Sequence, residues 1–170
     1  MAIVYLSLGS NIGDRIGYIQ QAASLLGADN NNITIIRTSA FYETEPWNMK
    51  SDTWFVNAVI EIKTSYSPRD LLSVCKKVEA QLGRKPKDGN DYEDRTIDID
   101  ILFYNKEIIK EQDLEIPHKY VHLRAFNLVP MLELNEDFVH PVFNKSIADL
   151  HNDLENPEMV FLYGTRVDFQ

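Results

Sequence analysis

Hydrophobic and polar residues alternate strictly between Arg95 and Phe103, with Ile97, Ile99 and Ile101 on one side and Asp98 and Asp100 on the other. A period of two is that of a β-strand with one face in a core. Residues 2–8 read as an opening strand, and the turn Gly9-Ser10-Asn11-Ile12-Gly13-Asp14 offers an N-cap for a helix with apolar positions Ile16, Ile19, Ala23 and Leu26. Gly27 is its expected C-terminal stop. After the polar loop Asp29-Asn30-Asn31-Asn32, residues 33–42 predict a second strand and 54–63 a third. The third places Val56, Ala58, Ile60 and Ile62 on one face and Asn57 on the other.

Ser67-Pro68-Arg69-Asp70 opens the clearest helix, with Ser as N-cap, Pro at the first helical position and Asp70 placed to return the capping bond. Leu71, Cys75, Val78 and Leu82 follow at i, i+4, i+7 and i+11 as one buried stripe, and Gly83 ends it. The order β-α-β-β-α-β predicts an α+β fold of the ferredoxin-like type. Its antiparallel sheet carries both helices on one face and leaves the other free for a ligand. Residues 105–117 predict a short hairpin, 123–134 a helix interrupted or kinked near Pro130, and 146–153 a capped helix, all able to cover part of the sheet. Residues 43–52 and 83–94 carry no packing pattern and are long for connections in a compact domain, so they read as lids.

A chain of 170 residues with 44% hydrophobic content can bury one full core, which predicts a single domain over 1–170. No run approaches the ~18 apolar residues of a spanning helix, and the N-terminus begins directly with a strand, so a cytoplasmic protein without membrane partners is expected. The single cysteine, Cys75, falls at a helical core position and reads as packing in a reducing compartment. A net charge of -9 argues against nucleic-acid binding. Cations nevertheless concentrate locally: Arg84, Lys85 and Lys87 precede a second group ending in Arg95, where a small anion could be gripped, although a solvated loop is the plain reading of Lys85 and Lys87.

Residues two apart on a strand rise together by roughly 6.5 Å, so Asp98 and Asp100 can share a cluster of hard cations. Solvated aspartates on an amphipathic strand are the plain alternative. Arg95 beside the pair favours the first reading, because a guanidinium can hold an anionic substrate next to the metals.

Several motifs together resemble the 6-hydroxymethyl-7,8-dihydropterin pyrophosphokinase family. They are Gly9-Ser10-Asn11, Phe41-Tyr42-Glu43-Thr44-Glu45-Pro46, Phe55-Val56-Asn57-Ala58, Glu79 with Gly83-Arg84, Arg95-Thr96-Ile97-Asp98-Ile99-Asp100, and Pro117-His118 followed by Arg124-Ala125-Phe126. The resemblance implies transfer of pyrophosphate from ATP to the pterin alcohol, with Asp98 and Asp100 as ligands of two Mg²⁺ ions; a monomer is expected. It implies phosphate contacts from Arg84 and Arg95, and nucleotide contacts from His118 and Arg124. For the pterin it implies the Asn57 side-chain amide, backbone contacts at Thr44 and stacking by Phe126. Glu79 lies near the site in this family and stays outside the catalytic set. Tyr92-Glu93-Asp94 stands where many relatives carry Trp-Gly-Pro, and Trp47 is a candidate cap for the pterin. His122, His140 and His151 receive no role.

Paired aspartates also serve two-metal phosphohydrolases and nucleotidyltransferases, and a ferredoxin-like fold alone can serve a non-enzymatic small-ligand sensor. No P-loop pattern is present, so nucleotide binding has to rest on the metal and arginine site.

Overall fold

In the computed structural model, which describes residues 1–47, 52–84 and 94–164, the first half of the chain forms β1 (Ala2–Ser10), α1 (Arg15–Ala28), β2 (Ile33–Thr38), β3 (Phe41–Thr44), β4 (Phe55–Thr64) and α2 (Pro68–Gln81). The second half forms β5 (Asp98–Tyr104), β6 (Ile109–Glu111), β7 (Leu114–Ile116), α3 (Ala125–Asn135), α4 (Ile147–Asn152) and β8 (Val160–Gly164). Every residue of β1 except Ile3 is buried, as befits a strand covered on both faces. It lies antiparallel between β4 and β5, and the sheet runs β5-β1-β4-β3-β8, with β2 also on β4. The α+β, ferredoxin-like expectation holds.

Both caps read from the sequence form: the Asp14 carboxylate accepts from the Gly17 N–H at 3.0 Å and the Ser67 hydroxyl from the Asp70 N–H at 3.2 Å. Leu71, Cys75 and Val78 of α2 then join Ile19, Ala22, Ala23 and Leu26 of α1 over Val4, Leu6, Leu8, Ile60, Ile62, Ile97, Ile99 and Ile101. Gly27 does not stop α1, which runs on to Ala28. It serves a close approach instead, since a Cβ there would lie 3.3 Å from Ile35 Cδ1.

The expected strand at 33–42 is two strands. β2 pairs with the C-terminal half of β4, Ile33 opposite Thr64, and β3 with its N-terminal half, Thr44 opposite Phe55. The break has a side-chain cause: Ser39 Oγ accepts from the Val59 N–H at 2.9 Å, and the Ala40 N–H donates to the Glu133 carboxylate at 3.0 Å. Both groups have left the regular ladder.

The second face of the sheet is covered over most of its length rather than left free. Tyr5, Val59, Leu102 and Phe103 pack under Val121, Leu128, Met131, Leu134, Ile147 and Leu150 of the C-terminal elements. Of the expected interruption or kink near Pro130, the interruption is absent: α3 runs unbroken with Pro130 buried inside it. β8 pairs with β3 and was not legible as a strand, because Phe161, Leu162 and Tyr163 are about half or more exposed and leave no core pattern. Lys85, Lys87 and Tyr92 lie outside the described residues, as do residues 48–51 and 85–93 of the two expected lids.

His140 closes the C-terminal layer. It is 3% exposed, and its Nδ1 accepts from the N–H groups of Val142 and Phe143 at 3.1 and 3.3 Å. Burial, with the nearby His122 ring and Lys106, holds its pKa down to about 4, against roughly 6.5 in an unfolded chain. A depressed histidine opposes folding once the unfolded form gains its proton. Its contribution is therefore whole above about pH 6.5 and is lost as pH falls from there towards 4. His140→Asn, whose amide oxygen can accept the same N–H groups, should flatten the fall in Tm between about pH 7 and 4.5. An unchanged profile would show that this ring titrates as a surface histidine does.

Candidate active site

Beyond the cover of α3, the second face of the central strands changes from apolar to small and polar. Tyr5 gives way to Ser7 and Gly9 on β1, Val59 to Asn57 on β4, and Leu102 to Asp100 and Asp98 on β5. All of the small and polar members of that set line one cavity of about 260 Å³. Thr44, Asn57, Arg84, Arg95, Asp98, Asp100, His118, Arg124 and Phe126, the nine residues selected from the sequence, all line it. Ser7, Gly9, Glu45, Trp47, Phe55 and Lys76 complete the wall. The described segments thus converge on one site from β1, β3, β4, α2, β5 and the start of α3.

The acidic end is organised by a residue left outside the catalytic set. Glu79 is 3% exposed, and its Oε2 accepts from the Ile99 N–H at 2.7 Å and from Arg84 Nη1 at 2.6 Å. Arg84 Nη1 also donates to Asp98 Oδ1 at 2.7 Å, and Arg95 Nη1 reaches Asp98 Oδ2 at 3.4 Å. Burial raises the Glu79 pKa, opposed by Arg84 and the Ile99 N–H. Beside the family motif that includes it, its place one residue after Val78, at the edge of the buried helical stripe, is the hint in the sequence. That hint is weak.

The paired aspartates are not equivalent. Burial acts against ionisation of Asp98, but Arg84 and Arg95 outweigh it and hold the carboxyl below its usual range. Asp100 is pushed up to about 7 by burial and then by the Asp98 charge, with Arg124 offsetting only part of this. Its side chain keeps 31% exposure towards the cavity. His118 Nε2 stands 4.0 Å from Asp100 Oδ2 but does not neutralise it, because burial and then Arg124 hold the ring down to about 4. The Tyr120 N–H donates to His118 Nδ1 at 3.3 Å, so the neutral ring keeps its proton on Nε2, facing the cavity.

At the other end Asn57 Nδ2 donates to Thr44 Oγ1 at 2.6 Å, which fixes the amide plane. Thr44 therefore has a side-chain part beside the backbone contacts expected of it. Gly9 makes this placement possible, since a Cβ there would lie 2.5 Å from Asn57 Oδ1. The Arg124 guanidinium stacks among aromatic rings, 4.7 Å from the centre of Trp47 and 5.2 Å from those of Tyr120 and Phe126. Asn11 has a tethering part: its Oδ1 accepts from the Arg95 N–H at 2.6 Å and its Nδ2 donates to Asp94 at 2.8 Å. This fixes the approach to β5.

Among the described residues no group of three or more His, Cys, Asp or Glu is arranged to hold a metal ion. The donor set nonetheless fits a hard divalent cation. Two carboxylates face one cavity, and burial together with the Asp98 charge opposes ionisation of Asp100, an opposition that a cation would offset.

Residues 5–136 match the family described as 7,8-dihydro-6-hydroxymethylpterin-pyrophosphokinase. The chain is 40% identical over 149 residues to the 2-amino-4-hydroxy-6-hydroxymethyldihydropteridine pyrophosphokinase of Aquifex aeolicus, covering 88% of this chain and 90% of that one. It is 39% identical over 171 residues to the folic acid synthesis protein fol1 of Pneumocystis carinii, of which it spans 23%. The wild-type HPPK-DHPS crystal structure from Plasmodium falciparum shares the fold, with a TM-score of 0.71 at 20% identity over 89% of this chain and 44% of that one. A match over most of the chain, with a relative 40% identical of which it covers 90%, makes this protein a member of the 7,8-dihydro-6-hydroxymethylpterin-pyrophosphokinase family.

Proposed function

We propose that the chain transfers the pyrophosphoryl group of ATP to the hydroxymethyl oxygen of 6-hydroxymethyl-7,8-dihydropterin, giving AMP and the pterin diphosphate. The observation that carries this reading is the two-ended cavity, with a fixed amide and aromatic rings at one end and two carboxylates among arginines at the other. A flat heterocycle suits the first end and a polyphosphate with its cations the second. In the step, the alcohol oxygen bonds to the β-phosphorus, the bond from that phosphorus to the α–β bridging oxygen breaks, AMP leaves on that oxygen, and the hydroxyl proton is released.

Each side chain has a part in it. Asn57 reads the heterocycle edge, with Thr44 holding its amide in plane, and Phe126 stacks on the ring. Arg84 and Arg95 pass from Asp98 to the phosphates, where planar guanidinium matches pairs of oxygens. His118 donates a hydrogen bond from its Nε2–H to the nucleotide, and Arg124 adds charge on the same side. Asp98 and Asp100 would hold two Mg²⁺ ions, water and phosphate completing the shells. Ions held by these carboxylates would supply neutralisation of phosphate charge and a lower pKa for the alcohol.

The protein is read as one domain over 1–170, a cytoplasmic monomer that takes small molecules and no nucleic acid. Among the described residues no helix is long and apolar enough to cross a membrane. Mass spectrometry of the products decides the activity. AMP with pterin diphosphate supports the proposal, while ADP, or phosphate without a pterin product, would overturn it in favour of another two-metal phosphotransfer enzyme.

Asp98→Ala and Asp100→Ala should each lower kcat by at least about 100-fold while leaving pterin affinity within about threefold, because the carboxylates act on phosphate charge. Asp100→Ala should leave the metal-free Tm unchanged or higher, since burial and Asp98 already disfavour that charge. Near-normal turnover in both variants would remove the site assignment. Asn57→Ala should weaken pterin binding by about tenfold and ATP binding by no more than about twofold. Calorimetry with each ligand reads the difference, and equal losses would make Asn57 a structural residue only.

A further inference from the structure

Two walls of the cavity come from elements far apart in the chain. Thr44 ends β3 and is followed by Glu45, whereas Arg124 and Phe126 stand at the start of α3. Residues 158–160 touch both walls. Glu158 Oε1 accepts from the Ala125 N–H at 3.2 Å, and its Oε2 accepts from the Phe126 N–H at 3.1 Å. These are the first N–H groups of α3, which have no partner inside the helix, and the N-cap residue Arg124 makes no side-chain capping bond. One residue on, the Met159 N–H donates to the Glu45 carboxylate at 2.7 Å and the Met159 carbonyl accepts from the Glu45 N–H at 3.1 Å. Val160 then lies opposite Thr44 as β8 pairs with β3.

We propose that Glu158 is a positioning residue of the active site, a cap supplied from a distance that holds Arg124 and Phe126 at a set separation from the Thr44–Glu45 wall. The carboxylate satisfies two helix N–H groups and complements the positive end of the helix dipole. Its charge also supports the half-buried Arg124 guanidinium, whose ionisation burial opposes and Asp100, Asp98 and Glu158 favour. Glu158 lies beyond residues 5–136, the part matched to the family, so the tether is built from chain that the match leaves out.

The effect should fall on the first turn of α3 and not on the whole helix. Leu128, Met131 and Leu134 anchor its body in the core, and Glu133 ties it to Ala40 and Tyr42. Loss of the cap therefore frees the turn bearing Arg124 and Phe126 while the helix stays docked.

The inference rests on the proposal that this cavity takes the pterin and ATP, and steady-state kinetics on the full chain separate the two. Glu158→Ala should raise the pterin KM by roughly five- to tenfold, with kcat within about threefold of the wild type. Glu158→Gln keeps one acceptor oxygen but not the second or the charge, and should recover part of that loss. Hydrogen exchange should quicken at the Ala125 and Phe126 amides in Glu158→Ala and stay unchanged at Leu128 and Met131. An unchanged pterin KM in Glu158→Ala, an equal loss in Glu158→Gln, or faster exchange along the whole helix would overturn the positioning role. Absence of pyrophosphoryl transfer in the wild type would instead remove the functional reading, while the exchange result would still report on the tether.

Discussion

The Glu79 carboxylate, buried between the Ile99 N–H and the Arg84 guanidinium, is the contact on which the acidic half of the cavity depends. It sets the position of the backbone between Asp98 and Asp100, and the same oxygen holds the arginine that neutralises Asp98. Leaving a buried N–H or carboxylate unpaired costs on the order of 1–3 kcal/mol, so each of the three groups fixes the other two. α2 brings Glu79 there because Leu71, Cys75 and Val78 dock its neighbouring stripe in the core. Packing therefore dictates where the charges meet.

That contact also separates the roles of two aspartates that look alike in the sequence. Asp98 faces two guanidinium groups and is held ionised, whereas Asp100 faces a neutral histidine and the charge of its neighbour. One carboxylate is bonded to guanidinium groups of the protein, whereas for the other Arg124 offsets only part of what opposes its charge. A site of this kind favours a ligand that brings its own positive charge, and it leaves the arginines a second anion to grip.

Where the sequence speaks in periods, it is legible. The alternation around Asp98 and Asp100, the stripe of α2 and the caps at Asp14 and Ser67 all report local physics that packing leaves in place. What escaped it depends on partners distant in the chain. The break at Ser39 and Ala40 needs Val59 and Glu133, and the tolerance of Gly27 inside a helix needs Ile35. β8 is held by main-chain pairing with β3 and carries no buried stripe. The nine site residues were reached because a family resemblance joined segments that no local period could join. Glu79 shows the limit, since a buried, bonded carboxylate and a solvated one look the same one residue past a core position.

β5 is an outer strand of the sheet, and an outer strand with free main-chain groups is a template for another chain. Here the Ile99 N–H is taken by Glu79, and the Leu102 carbonyl accepts from the His118 N–H at 3.0 Å. The segment that carries His118 to the cavity and the carboxylate that steadies the aspartates are thus also a seal against strand addition. A change at Glu79 would then do more than slow a reaction. It would open a sticky border on a chain that has exposed apolar residues on its opposite border, at Phe161 and Leu162, and solubility would suffer along with chemistry.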